Sequence, residues 1–173
     1  LIHQWRKELN SWAPEVRVST IRGTPEQRAT KWRYSAHVFL TSYETLRSDF
    51  SPSLESGPRR RVWDVVVLDE AQKIKNRDTD TSRFCKMLPR HRSWALTGTP
   101  LENSIDDLVS IVEFLTPNPT GEPCRPLRPG EELLEAHRSL QLRRKKSEVL
   151  TQLPPKTVND VIVELLPEQL SSY

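Results

Sequence analysis

Two adjacent carboxylates, Asp69 and Glu70, directly follow a nearly continuous run of apolar residues at positions 62–68. A run of this kind predicts a strand that is buried on both faces of a parallel sheet. Ligands of open parallel sheets bind beyond the carboxyl ends of the strands. An acidic side chain at that place can hold Mg²⁺ directly or through water, because Mg²⁺ takes one or two carboxylates together with substrate phosphates. A second carboxylate beside it can orient or deprotonate a water that attacks the terminal phosphate of a nucleotide.

An ordinary helix N-terminus is the alternative explanation for this pair, because the helix dipole favours acidic residues there. Two further predicted strand ends favour the chemical interpretation. Thr97, Gly98 and Thr99 lie at the end of a strand about 25 residues later, and Thr41 and Ser42 end an earlier strand just before a helix. Hydroxyl groups, a glycine turn and the N–H groups of a helix start all suit phosphate oxygens. The three ends together predict a sheet that binds a nucleotide and a nucleic acid.

The elements that must position these residues alternate along the first two thirds of the chain. Helical spacing of apolar residues and β-branched runs predict four strands, at 16–21, 38–41, 62–68 and 93–97, and five helices, at 1–12, 24–32, 43–47, 82–88 and 105–115. Thr24, Pro25 and Gln27 form a capping-box sequence with proline at the first helical position. Strands that alternate with helices predict an α/β fold with a parallel sheet.

The remainder of the chain has a different character. Residues 116–130 contain five prolines and two glycines, which predicts a connector, and residues 131–150 are charged and predicted to be helical. Residues 157–166 alternate like the first strand of another domain. The chain also opens inside a helix without an initiator methionine, so we expect a piece of a longer protein. The predicted domains are residues 1–116, a connector at 117–156, and the start of a second domain at 157–173.

Composition limits the class of protein. Of 173 residues, 35% are hydrophobic and 28% are charged, which permits a modest packed core, and no apolar run approaches the roughly 18 residues of a membrane span. Two cysteines are too few for a disulfide framework and predict reduced thiols in the cytosol. The net charge of +3 conceals an asymmetry: residues 1–100 hold 18 Lys and Arg against 11 Asp and Glu, and residues 101–173 hold 8 against 12. This asymmetry weakly favours a polyanionic partner for the first part.

One motif of nucleotide-binding sheets is missing from the chain. A phosphate cradle requires the sequence G-x-x-x-x-G-K-[ST], and none of the five glycines precedes a lysine. We therefore predict that this piece alone does not hydrolyse ATP.

The motifs as a set resemble a known family. Residues 69–76 (DEAQKIKN) and 96–103 (LTGTPLEN) closely resemble motifs II and III of the Swi/Snf-type branch of the superfamily-two helicase-like ATPases. The resemblance covers essentially the whole chain in the family's order, and its other segments are residues 1–5 (LIHQW, end of motif Ia), 39–46 (FLTSYETL, motif Ib), and 142–150 (LRRKKSEVL) with 153–156 (LPPK), the bridge to a second lobe.

The resemblance implies the first lobe of a P-loop motor, in part: a RecA-like parallel sheet with helices on both faces, followed by a helical connector. It implies ATP and Mg²⁺ as cofactors, with Asp69 holding the metal, through water, and Glu70 activating the hydrolytic water. Gln72 stands where this branch more often has histidine, and its amide can still link the nucleotide site to motif III. In motif III, Thr97, Gly98 and Thr99 would couple the nucleotide and DNA sites.

The same resemblance places Thr41 and Ser42 on the DNA backbone, with Arg143 and Arg144 as electrostatic contacts. The alternative for the two arginines is a solvated helix face, since basic runs are poorly diagnostic. Four tryptophans are predicted to lie in the core rather than to stack on bases: Trp5, Trp12, Trp63 and Trp94.

The predicted function is part of an ATP-dependent translocase on double-stranded DNA that remodels or displaces DNA-bound proteins, with no membrane partner. Its location would be the cytoplasm of a prokaryote or the nucleus of a eukaryote. Two alternatives remain: a non-catalytic nucleic-acid-binding remnant that kept the sheet, and another superfamily-two motor such as a restriction-enzyme subunit. The bridge segment ending in Pro-Pro-Lys argues against the restriction-enzyme subunit.

Overall fold

The structure, a computed structural model, describes residues 1–50, 56–98, 105–123, 126–127, 140–142 and 144. The chain divides into two compact units, Leu1–Ser139 and Leu140–Tyr173. The predicted helix at 131–150 and the predicted strand at 157–166 lie almost wholly outside the described residues, so they stay predictions, as do the domain boundaries at 116 and 156.

Helices and strands alternate through the first unit as predicted, with bounds that differ by a few residues. In chain order they are α1 (Ile2–Trp12), β1 (Val18–Thr20), α2 (Pro25–Trp32), β2 (Val38–Leu40), α3 (Tyr43–Asp49), β3 (Trp63–Asp69), α4 (Asp80–Lys86), β4 (Arg90–Leu96) and α5 (Ile105–Leu115). Two short 3₁₀ turns, Pro58–Arg60 and Ala71–Ile74, precede and follow β3.

The strands pair in parallel, as the alternation predicts. Among the described residues β1 pairs with β2, Val18 lying opposite Val38, and β3 pairs with β4 along its whole length. In the second pair Asp69 lies opposite Leu96. Because both strands point the same way, the residues that follow each of them emerge at one edge of the sheet.

Side-chain caps explain where the helices begin. The Thr24 hydroxyl accepts a hydrogen bond from the Gln27 N–H while the Gln27 side chain accepts from the Thr24 N–H, which confirms the predicted capping box. Ser42 caps α3 and Thr79 caps α4 in the simpler way, each accepting from a backbone N–H three residues on.

The core lies on one face of the β3–β4 pair. It consists of apolar side chains from β3, α3, α4, α5 and the turn after β3: Leu46, Phe50, Leu68, Ala71, Ile74, Cys85, Leu88, Ile111 and Phe114, with Val66 and Ala95 packed against them. On the other face Val67, Trp94 and Leu96 are 41%, 60% and 40% exposed. The prediction that β3 is buried on both faces is therefore wrong within the described residues, because alternate side chains point away from the only core that packs on it.

The predicted burial of the tryptophans is also partly wrong. Trp12 is 84% exposed at the end of α1, where its indole N–H donates to the Glu8 carboxylate, and Trp94 is on the open face of β4. Trp5 and Trp63 are half-buried, and Trp32 is fully buried. An apolar helical stripe does not show which of its members the fold covers.

No helix in the described part of the chain combines the length and the apolar character that crossing a membrane requires.

Candidate active site

The carboxyl ends of β3 and β4 bring together the residues that the sequence singled out. Asp69 is the last residue of β3, Glu70 follows it, and Thr97 follows β4 directly. Glu70 has a left-handed backbone with φ 52° and ψ 51°, the only positive φ of a non-glycine residue in the described chain. Such a conformation costs a residue with a Cβ about 1 kcal/mol or more. It turns the chain sharply, so that the 3₁₀ turn begins at once and Gln72 lies next to Glu70.

The Asp69 carboxylate accepts a hydrogen bond on each oxygen. Its Oδ1 accepts from the Glu70 N–H at 3.0 Å, and its Oδ2 accepts from the indole Nε1–H of Trp5 at 2.8 Å. The Asp69 main-chain oxygen accepts from the Tyr43 hydroxyl, also at 2.8 Å. Two donors therefore bind the carboxylate of Asp69, and a third, from α3, binds the main-chain oxygen of the same residue.

A chain of hydrogen bonds connects the second carboxylate to β4. The Gln72 amide Nε2 donates to Glu70 Oε2 at 2.7 Å, and the Thr97 hydroxyl donates to Gln72 Oε1 at 2.8 Å. An amide suits this central place because it donates at one end and accepts at the other. The structure thus joins Glu70, Gln72 and Thr97, which the sequence assigned to motifs II and III.

Within the part of the chain that the structure describes, no cationic side chain neutralises the carboxylates of the site. Among the described residues neither Asp69 nor Glu70 forms an ion pair with Lys, Arg or His; the nearby Lys73 lies 4.0 Å from Glu44 instead. Burial, and after it the negative charge of neighbouring groups that include the two carboxylates, raises the pKa of the Tyr43 hydroxyl. Tyr43 therefore keeps its hydroxyl proton, and remains a hydrogen-bond donor, at neutral pH and well above it.

The two carboxylates fit a hard divalent cation. Each Asp69 oxygen accepts one hydrogen bond from a neutral N–H group and keeps a further lone pair. Mg²⁺ prefers oxygen ligands and binds through few carboxylates together with water and phosphate oxygens. A donor set of oxygens with uncompensated negative charge meets that requirement, whereas a carboxylate neutralised by arginine would not.

The residues behind the site form a buried polar network that the sequence did not predict. The Ile74 carbonyl, at the end of the 3₁₀ turn, accepts hydrogen bonds from the hydroxyls of Ser82 and Ser110. Lys86 Nζ donates to Ser110 Oγ and to Glu113 Oε2, both at 2.8 Å, and Arg77 also pairs with Glu113. The network ties the segment that follows Asp69 to α4 and α5. Buried charges are almost always paired, but the sequence does not identify the partners.

The residues predicted to contact DNA are only partly brought to this edge. Thr41 and Ser42 follow β2, where Ser42 Oγ caps α3 and accepts from the Thr45 N–H at 3.1 Å. Arg144 is exposed in the second unit. Gly98, which was assigned to motif III rather than to the DNA contacts, has open space on the side where a Cβ would lie. Arg143 and Thr99 lie outside the described residues.

Sequence reasoning missed two residues that contact Asp69, namely Trp5 and Tyr43. Trp5 was assigned to the core because it belongs to an apolar helical stripe. Both stand in the first turn of a helix, within the segments identified as motifs Ia and Ib. An aromatic side chain with a polar tip at such a place signals a hydrogen bond to the sheet edge, because a buried indole N–H or phenol requires a partner.

The chain is similar to known proteins in sequence and in fold. The model of the SNF2-related domain matches residues 1–126. An uncharacterized ATP-dependent helicase of Mycoplasma genitalium, MG018, is 31% identical over 100% of this chain and 17% of its own length. The helicase ssl-1 of Caenorhabditis elegans is 32% identical over 100% of this chain and 8% of its own. The chain thus spans about a sixth or less of the length of these curated relatives.

A solved structure is similar over nearly the whole chain. The SWI2/SNF2 ATPase core of Sulfolobus solfataricus, in complex with double-stranded DNA, superposes with a TM-score of 0.68 at 30% identity. The match covers 98% of this chain and 37% of that one. The parallel α/β fold with helices is therefore the fold of an ATPase core of this type, as the motifs predicted.

Proposed function

This chain belongs to the SNF2-related domain family, and on that premise we propose that it forms part of a motor that hydrolyses ATP and moves along double-stranded DNA. The proposal concerns the complete protein, because the chain lacks a phosphate-cradle motif. The 173-residue piece is accordingly expected to show no ATPase activity by itself.

One observation carries the proposal: Asp69 ends β3, Glu70 follows it, and Gln72 links Glu70 to Thr97, the residue after β4, while no cation of the described residues pairs with either carboxylate. In this proposal Asp69 would hold Mg²⁺ through water, and a cation bound there would supply charge neutralisation to the nucleotide phosphates. Glu70 orients the attacking water and accepts its proton. Gln72 holds the Glu70 carboxylate in place and connects it to Thr97, which couples the nucleotide site to the DNA site.

The proposed DNA partner follows from the neighbouring strand end and from the relatives. Thr41 and Ser42 follow β2 at a helix start, where N–H groups and hydroxyls suit phosphate oxygens. The similar core of Sulfolobus solfataricus is in complex with double-stranded DNA, and a similar protein of Schizosaccharomyces pombe is a chromatin remodelling factor. Contacts to phosphates bind with little sequence preference and weaken steeply with salt. We propose that the motor acts on proteins bound to DNA.

Replacing Glu70 in the complete protein tests the proposal. Glu70→Gln keeps the shape of the side chain but removes the base, so DNA-stimulated ATP turnover should fall by about a thousandfold while ATP binding is retained. Glu26→Gln is the matched control, since Glu26 is an exposed carboxylate at the start of α2, and it should behave like the wild type. Unchanged turnover in Glu70→Gln would overturn the assignment. A wild-type protein that binds DNA but never hydrolyses ATP would instead indicate a non-catalytic DNA-binding remnant.

A further inference from the structure

The indole N–H of Trp5 donates a hydrogen bond to Asp69 that the proposed roles of Asp69 and Glu70 do not explain. Trp5 lies in the first turn of α1, half-buried, and its Nε1–H donates to Asp69 Oδ2 at 2.8 Å although the two residues are 64 positions apart. A half-buried tryptophan could direct its N–H to water. In this fold it is instead directed to one oxygen of the carboxylate that ends β3.

The hydrogen bond from Trp5 restricts a rotation of the Asp69 carboxyl group that strand β3 does not restrict. The backbone of β3 places the Cα of Asp69, and the Glu70 N–H binds Oδ1 locally. Rotation of the carboxyl group about its last side-chain bond is a broad and soft motion in aspartate. A second donor on Oδ2, coming from α1, stops that rotation and sets the plane of the carboxylate relative to the sheet.

The chemical nature of the donor matters as much as its position. An arginine or lysine would also orient the carboxylate, but it would cancel the negative charge that attracts a cation. The indole N–H is neutral, and the group acts only as a donor. It therefore binds one lone pair of Oδ2 and leaves the negative charge of Asp69 in place. Outer partners of this kind orient metal-binding carboxylates in many proteins, and their loss typically weakens metal affinity or activity by 10-fold to 100-fold.

We propose that Trp5 is a positioning residue that orients the Asp69 carboxylate for a divalent cation and connects α1 to the nucleotide site. This inference rests on the proposed function of Asp69. It adds a residue of α1 to the machinery at the ends of β3 and β4, and it predicts that a small displacement of α1 alters the affinity for the metal rather than for the nucleotide itself.

Trp5→Phe in the complete protein removes the donor and keeps an aromatic ring. Mn²⁺ is the probe, titrated by electron paramagnetic resonance into protein bound to a non-hydrolysable ATP analogue. We expect Mn²⁺ to bind about 10-fold more weakly than in the wild type, with nucleotide affinity in the presence of EDTA unchanged. The Mg²⁺ concentration for half-maximal ATP turnover should rise by a similar factor, and excess Mg²⁺ should restore most of kcat.

Trp12→Phe is a closely matched control. Trp12 ends the same helix and is 84% exposed. Its indole N–H also donates to a carboxylate, at 3.0 Å, but to that of Glu8 rather than that of Asp69. This variant should bind Mn²⁺ like the wild type. Tyr43→Phe removes the donor to the main-chain oxygen of Asp69 and should weaken Mn²⁺ binding less than Trp5→Phe does.

Each outcome decides between the two proposals. If Asp69→Asn weakens Mn²⁺ binding and Trp5→Phe leaves it unchanged, the role of Trp5 is wrong and that of Asp69 stands. If Trp5→Phe loses nucleotide binding in EDTA, Trp5 supports the fold as a whole and the positioning role is wrong. If Asp69→Asn itself binds Mn²⁺ normally, the proposed function of Asp69 fails, and the inference on Trp5 fails with it.

Discussion

The hydroxyl of Thr97 donates to the amide oxygen of Gln72 at 2.8 Å, so that one hydrogen bond joins the ends of two parallel strands. The other end of the same amide donates to Glu70 at 2.7 Å. Two short hydrogen bonds therefore form a continuous connection from the residue after β4 to the carboxylate after β3.

Thr97→Val tests this connection, since valine keeps the shape of threonine and removes the hydroxyl. Loss of a hydrogen bond worth about 1 kcal/mol should lower DNA-stimulated ATP turnover about fivefold and change DNA-independent turnover by less than about twofold. Thr30→Val is the control, because Thr30 is exposed on α2 and its hydroxyl donates to the Glu26 carbonyl of the same helix. An equal loss of both rates would show that Thr97 supports the site without coupling it to DNA.

The left-handed backbone of Glu70 predicts that a glycine variant at this position is more stable than an alanine variant. Glycine adopts this conformation without strain, so Glu70→Gly should be about 1 kcal/mol more stable to unfolding than Glu70→Ala, although both should be inactive. Denaturant titrations of the two variants measure the difference. At Glu26, in the first turn of α2, the order should be reversed, because glycine is unfavourable inside a helix. The same order at both positions would contradict the strain at Glu70.

Removing the buried carboxylate of Glu113 should destabilise the fold strongly. Glu113 pairs with Lys86 at 2.8 Å and with Arg77, and its side chain is 4% exposed. Glu113→Ala leaves Lys86 buried without this partner, which costs about 3–5 kcal/mol. Glu8→Ala, at an exposed position of α1, should cost less than about 0.5 kcal/mol. Thermal melting checks both variants, and similar melting temperatures would show that the network contributes little.

The buried thiol of Cys85 predicts how stability and reactivity change at alkaline pH. Burial raises the pKa of Cys85 to about 12, above the roughly 8.5 of an unfolded cysteine. Because the folded pKa is the higher one, this contribution to stability is present below about pH 8.5 and is lost as the pH rises towards 12. Iodoacetamide should therefore not modify Cys85 at pH 8 until denaturant unfolds the protein, as peptide mass spectrometry can determine. Rapid modification of the native protein would show that the thiol is accessible.

Local patterns in the sequence predicted the elements well because their causes are local. The capping box of Thr24 and Gln27, the β-branched run of β3 and the apolar stripe of α5 each depend on residues within a few positions of one another. The same patterns could not show which side of β3 is covered. Val67 and Trp94 are as apolar as their buried neighbours, and their exposure depends on where the helices pack.

The sequence likewise predicts some residues of the candidate site and not others. Asp69, Glu70 and Thr97 are predicted because each stands at or just after the end of a strand, and parallel pairing brings strand ends together, whereas the role of Gln72 comes from the resemblance of residues 69–76 to motif II. The hydrogen bond of Trp5 could not be predicted, because an indole in an apolar stripe is usually core and its acceptor lies 64 residues away.

The sequence by itself determined the order of helices and strands, the acidic strand end and the family to which the chain belongs. The order of the elements and the acidic strand end follow from the spacing of residue types along the chain, which is local, and the family follows from the resemblance of residues 69–76 and 96–103 to its motifs. Only the tertiary structure decided that Trp5 and Tyr43 hold Asp69, that Gln72 bridges Glu70 and Thr97, and that one face of β3 is open. Hydrogen bonds and burial depend on distances in space, and packing sets those distances between residues that are far apart in the chain.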